Sequence, residues 1–269
     1  MRVHRHAGSP LGLIAAYWPR LREAVLHDVR LRYGGSVLGA AWAVVGPVLQ
    51  LSIYAAVYAF ILRIRPQGLG TEGYVLMVFS GLVPLLAFNE CLVASMNSLA
   101  AHRALLLNTV FPAELIPLRA SLAAQVPGLV GLSVACGLSA ALGRGHWGAV
   151  LVVPALWALL VMFAVGIGWV LSLVTLVAKD LQHGIGLVTM LLFVCSPFAY
   201  TPDMVPPSLQ AVIWFNPLSY FVLGFQSVLS QGTLPAWPVA AGAAALGLGA
   251  FFGGFAVFQR AKAVFFDHA

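Results

Sequence analysis

Lys179 and Lys262 are the only lysines in this chain, and neither follows a glycine-rich loop. Hydrolysis of ATP on a phosphate-cradling loop needs a lysine at that place. The chain is therefore not expected to be an enzyme in its own right, and any active process draws on another subunit or on an ion gradient. Ion-coupled carriers keep ionisable groups in mid-membrane, where each costs at least ~2.5–3.5 kcal/mol. Glu90, beside Asn89, is the one serious candidate. It could make a polar contact between helices or copies, line a substrate route, or sit in water near the inner interface. The seven histidines show no HxxxH or HExxH spacing, so no metal site is expected. Cys91, Cys136 and Cys195 are odd in number, lack ligand spacing, and read as packing residues. The scattered acidic residues offer no carboxylate pair for sugar chemistry.

Aromatic residues carry a more specific signal. Gln50, Tyr54 and Tyr58 share one helical face, and Thr189, Phe193, Ser196 and Tyr200 follow i, i+4, i+7, i+11 spacing. Rings mixed with hydroxyls and amides suit sugars, which present apolar C–H faces and polar edges. Tyr54, Tyr58, Phe193, Tyr200 and Glu90 are thus the candidate channel residues. The competing explanation is ordinary packing, or an aromatic belt at the membrane interface.

These rows must be held by helices in a bilayer. Only 8% of the 269 residues are charged, and none is charged over residues 33–62, 120–143, 145–178 or 204–259. Runs of 18 or more apolar residues cross a ~30 Å hydrocarbon layer, and a chain of 28.5 kDa has too little polar surface to bury four of them. Six spans are expected, at residues 36–62, 74–98, 120–142, 148–177, 184–200 and 237–258. With a cytoplasmic N-terminus, eleven Lys and Arg fall on the inner side and three, Arg63, Arg65 and Arg144, on the outer. This positive-inside bias puts both termini in the cytoplasm. It also explains the net charge of +6 without a nucleic-acid partner. Gly35/Gly39 and Gly249/Gly253 have the spacing of close helix packing.

Residues 1–35 precede the first span. A helix is predicted from Pro19, with Trp18, Leu21, Val25 and Val29 on its apolar face. Arg20, Glu23, His27 and Arg30 form the opposite face, the pattern of an amphipathic helix in the inner headgroup layer. Residues 98–118 form the main cytoplasmic loop, which Pro112 and Pro117 should divide into short helical pieces. Residues 201–236 are apolar but interrupted by five prolines. Two short helices, near 208–215 and 218–230, should dip into the outer leaflet and return. Such breaks survive at membrane depth only beside protein or water. One domain over residues 1–269 is expected, with a cytoplasmic tail from 259.

The stretch DVRLRYGGSVLG at residues 28–39, with Trp42 and Pro47 after it, resembles the start of the ABC-2 polysaccharide-export permeases. FSGLVP at 79–84, the N-x-x-FP-x-E pattern from Asn108, Pro117, and NPLS at 216–219 extend the resemblance in order. It implies an all-α polytopic membrane protein of the bacterial plasma membrane, a homodimer paired with two cytoplasmic ABC ATPases that bind ATP and Mg. The cargo implied is a lipid-linked polysaccharide. The ATPase contact would be Glu23, His27, Arg30, Leu107, Asn108, Phe111, Pro112 and Glu114, and the outer gate Asn216, Pro217 and Gln226. The chain departs from many relatives in carrying Leu223 and Gln226 where an acid and an arginine are common. A drug or lipid permease of the same architecture remains open, as does a membrane transferase acting on polyprenyl-linked sugars. The transferase would need a clustered acid/base or metal site.

Overall fold

The computed structural model describes residues 9–34, 39–62, 69–102, 112–145, 147–178 and 180–266. All regular elements among them are helical. Five are long and apolar enough to cross a bilayer: Trp42–Ile61, Thr71–Ala101, Leu115–Ala141, Ala149–Val177 and Trp237–Lys262.

Helix α1 runs Pro10–Tyr33, so the expected start at Pro19 is nine residues late. The Ser9 side chain caps it, accepting from the Gly12 N–H at 3.2 Å, and Pro10 takes the first-turn position expected of Pro19. The apolar stripe explains the longer helix. Leu13, Ile14, Tyr17, Leu21 and Val25 recur at three- and four-residue spacing and pack on the rest of the chain. Trp18 falls off that stripe and is 52% exposed. Glu23, His27 and Arg30 are exposed.

After a short 3-10 turn at Gly39–Ala41, α2 spans Trp42–Ala56 and continues as a π-helical turn over Val57–Leu62. Helix α3, Thr71–Ala101, is the centre of the bundle. Within its most apolar window 78% is buried, against 17% for the span that begins with α2. Helices α4 (Leu115–Ala123) and α5 (Gln125–Ala141) meet at Ala124 and together form one long span. Pro117 does not break this segment as expected. It lies in the first turn of α4, where its missing N–H has no helical partner to lose.

Helices α6 (Ala149–Val177) and α10 (Trp237–Phe266) touch backbone to backbone. A Cβ placed on Gly166 would lie 2.1 Å from the Ala250 carbonyl oxygen, and one on Gly254 would lie 2.1 Å from that of Gly166. Gly247, two turns before Gly254, meets the Leu159 carbonyl in the same way. Gly249 and Gly253, whose spacing suggested the contact, face open space. Helical geometry accounts for the difference, since a two-residue offset from Gly247 turns Gly249 to the other side.

Helix α7, Leu181–Val194, has 14 residues. At 1.5 Å per residue it is about 21 Å long, shorter than a ~30 Å hydrocarbon core. The expected span to residue 200 is thus cut short. Pro197 disfavours helical geometry in the residue before it, and the chain turns inward through the buried residues 196–199. The row Thr189, Phe193, Ser196, Tyr200 loses its helical register after Phe193. Helices α8 (Gln210–Phe215) and α9 (Pro217–Leu229) occupy the two short segments anticipated after it.

Candidate functional site

A cavity of about 480 Å³ opens between α2, α3 and α7. Its walls bring together Gln50 and Tyr54 of α2 with Thr189 and Phe193 of α7, two rows that lie some 140 residues apart in the chain. The Tyr54 and Phe193 rings stand 5.9 Å apart between centroids. Asn89 and Asn97 of α3 and Gln182 of α7 add three more side-chain amides. Reading the sequence span by span missed these three. The signal available was the two-turn spacing of Asn89 and Asn97 in an otherwise apolar helix.

Tyr58 and Tyr200 do not line this cavity. Tyr58 packs edge-on against Phe198 at 5.3 Å, and Phe198 lies 4.9 Å from Phe193. The four rings Tyr54, Phe193, Phe198 and Tyr58 therefore form a continuous ladder from the cavity to the turn after α7. Tyr200 closes that turn, its hydroxyl donating to the Cys195 carbonyl at 3.1 Å.

Glu90 forms an ion pair with Arg32 near the end of α1. The pair lines a second cavity of about 280 Å³ between α1, α2, α3 and α5, and Gln50 borders both cavities. Of the roles open to Glu90, the contact between helices is the one this arrangement displays. Both side chains are roughly 40% exposed, at 39% for Arg32 and 44% for Glu90. Such a pair contributes about 0–1 kcal/mol to stability.

The turn at 196–199 interrupts a helix among apolar neighbours, so its carbonyls need donors from elsewhere in the protein. Gln226 of α9 serves them: the two hydrogens of its amide nitrogen are shared among the carbonyls of Pro197 at 3.0 Å and Phe198 at 3.1 Å in the turn and of Met77 in α3 at 3.3 Å. The Tyr74 hydroxyl donates to Ala199 at 2.9 Å. Asn216 joins the turn to α9. Its amide nitrogen donates to the Ser196 hydroxyl at 2.9 Å and to the Leu192 carbonyl at 2.8 Å, and its side-chain oxygen caps α9 by accepting from the Leu218 N–H. Pro217 then occupies the first-turn position. At the far end of α9, Arg144 and Ser139 donate to the carbonyls of Ser230 and Leu229 at 2.6 and 2.7 Å. Asn216→Ala removes the cap and both tethers, and should lower stability by about 1–2 kcal/mol. Thermal unfolding followed by fluorescence-detected gel filtration in detergent checks this, with Asn216→Asp keeping only the cap.

On the other side of the bundle, α1 is tied down by Asp28, which accepts two hydrogen bonds from Arg119 of α4 at 2.5 and 2.7 Å. This fork-to-fork geometry is the strongest form of the pair. Leu107, Asn108 and Phe111 lie outside the described residues. Pro112 is half-buried. Glu114, expected to touch an ATPase, is instead 3% exposed. Its carboxylate accepts from Lys262 at 2.5 Å and from Gln259 at 2.9 Å, and its carbonyl accepts from the Trp169 indole at 2.8 Å. The proline-rich segment turns Glu114 inward as it leads into α4, so in this arrangement it braces the loop against α6 and α10. Among the described residues no group of histidines, cysteines and acids could hold a metal ion.

The profile of the ABC-2 type transporter family matches residues 22–230, which includes the second half of α1, the cavity and the turn held by Gln226. The chain belongs to the ABC-2 type transporter family. It is also similar to two proteins of Klebsiella pneumoniae, each called O-antigen export system permease protein RfbA. Each is 28% identical over 213 residues, covering 77% of this chain and 78% of the relative. A Myxococcus xanthus protein of the same name is 22% identical over 217 residues, covering 80% of this chain and 82% of the relative. As an ABC-2 permease the chain is a multi-pass membrane protein and a transport subunit rather than an enzyme, and its family implies pairing with an ABC ATPase subunit. Of the three helices around the permease's cavity, α3 is the most buried of the five long spans and α2 belongs to the least buried one, while α7 has no fully buried residue.

Proposed function

We propose that this permease exports a lipid-linked polysaccharide from the cytoplasmic to the outer face of a bacterial plasma membrane. Two copies pair with two cytoplasmic ABC ATPases, which bind ATP and Mg. Both termini are cytoplasmic. Helix α7 is a short fifth crossing, and α8 and α9 dip into the outer leaflet and return, making six crossings in all. The exposed faces of α2 and α7, with Ile53, Leu187 and Leu191 outward, line the seam between copies, so that the cavity opens on a shared central route. The exposed face of α1 at Glu23, His27 and Arg30 meets the ATPase together with Leu107, Asn108, Phe111 and Pro112. Gln226, Asn216 and Pro217 hold the outer gate.

The observation that carries the reading is the cavity itself. It joins aromatic rings to amides and hydroxyls with no charged side chain among its described lining. A sugar ring stacks its C–H face on Tyr54 or Phe193 while its hydroxyls exchange hydrogen bonds with amides that both donate and accept. The relatives named for O-antigen export support the same cargo. Tyr54→Ala combined with Phe193→Ala should lower ATP-dependent glycan export about tenfold or more, the loss of one good stacking contact per ring at about 1 kcal/mol each. The assay is ATP-dependent transfer of glycan to the lumenal face of inverted vesicles with protein amounts matched. Unchanged export would remove the cavity from the transport route.

A further inference from the structure

The cavity points beyond polysaccharide in general to one electrostatic class of it. Gln50, Tyr54, Asn89, Asn97, Gln182 and Thr189 supply its polar lining, and no carboxylate, guanidinium, ammonium or imidazole is among its described walls. Arg32 and Glu90 lie in the adjoining cavity and neutralise one another, and Asp180 and His183, which flank Gln182 in the chain, are not among the described walls. The faces that flank the opening are equally uncharged, with Ile53 and Phe60 exposed on the span of α2 and Leu187, Met190 and Leu191 on α7. A second copy of the chain seated there would add the same uncharged surface.

A hydroxylated neutral sugar finds amides that satisfy it in either hydrogen-bonding sense. A uronate carboxylate or a phosphate on the glycan would instead leave water for a low-dielectric site with no cation waiting. That desolvation is large and goes uncompensated when no partner charge is present. We propose that the cavity selects an uncharged glycan: the repeat that passes between α2, α3 and α7 is built of neutral sugars, and acidic repeats are discriminated against. The inference rests on the exporter reading above and narrows its substrate class.

The test uses the permease with its ATPase partner in liposomes. Two lipid-linked oligosaccharides are compared that share one carrier and one length, the first built of neutral hexoses, the second with a hexuronic acid replacing one hexose per repeat. Half-saturation of substrate-stimulated ATP hydrolysis should come at least tenfold lower for the neutral glycan. Gln182→Arg, a change at an exposed position that the fold tolerates, should shrink that gap by improving the acidic glycan. Equal half-saturation, or preference for the acidic glycan in the unaltered protein, overturns the selectivity. Failure of both glycans to stimulate hydrolysis overturns the exporter reading itself, a distinct outcome from equal stimulation by both.

Discussion

Gly166→Ala is expected to cost about 3 kcal/mol or more and to prevent accumulation of properly folded permease. The added methyl would sit 2.1 Å from the Ala250 carbonyl oxygen and 2.3 Å from its carbonyl carbon, on backbone that cannot rotate away. Ordinary contact needs more than an ångström of further separation, so α6 and α10 must part along their shared length. That parting also loosens Trp169, whose ring packs on Phe251 and Phe255 of α10 at 5.1 and 5.3 Å. Overpacking of this kind reaches the upper end of measured core penalties. Gly249→Ala serves as the control, since a methyl group added there would meet nothing within 4 Å. Fluorescence-detected gel filtration after heating should show a large loss for the first variant and almost none for the second.

The second large effect is expected at Lys262. Lys262→Met leaves the Glu114 carboxylate, whose side chain is 4% exposed, with Gln259 as its remaining partner among the described residues. Stranding a buried charge costs about 3 kcal/mol. Glu114→Gln in the same chain removes that charge, so the double variant should recover most of the loss. Thermal stability of the two single variants and the double variant gives the coupling directly. Losses that simply add would show that Glu114 and Lys262 do not depend on one another. The pair also bears on coupling, because Glu114 stands between Pro112 and α4 and is joined to α6 through the Trp169 indole. If the ATPase docks near Pro112 as proposed, a push there meets the Glu114 contacts that join the start of α4 to α6 and α10.

Much of this arrangement is legible in the sequence, and the reasons differ from part to part. The crossings are readable because hydrocarbon tolerates so little charge: the expected spans at 36–62, 74–98, 120–142, 148–177 and 237–258 fall within about six residues of the long helices. The two short helices after α7 are readable from prolines, since Pro217 starts α9 where its absent N–H loses nothing. The cavity is only half readable. Gln50 and Tyr54, and Thr189 with Phe193, show helical spacing within their own segments, but nothing local says that the two rows meet. Nor does local spacing reveal the end of α7, because extending the period to Tyr200 assumes the helix survives Pro197. Glu114 eludes sequence reasoning for a different reason. A carboxylate in a polar, proline-rich loop reads as solvated, and only the return of α10 to bring Lys262 beside it explains its burial. The helix contacts at Gly166 and Gly254 are hidden too, as 27 glycines offer many spacings and only the register of α6 on α10 picks one.

The most direct measurement is ATP-dependent translocation by this permease copurified with an ABC ATPase from the same organism. Reconstituted in liposomes, the pair should form a stable complex with two copies of each chain. It should also carry a lipid-linked neutral oligosaccharide to the face opposite the ATPase, only when ATP is supplied on the ATPase side. A chain that purifies without any ABC ATPase, or a complex that hydrolyses ATP and moves no glycan, would contradict the account.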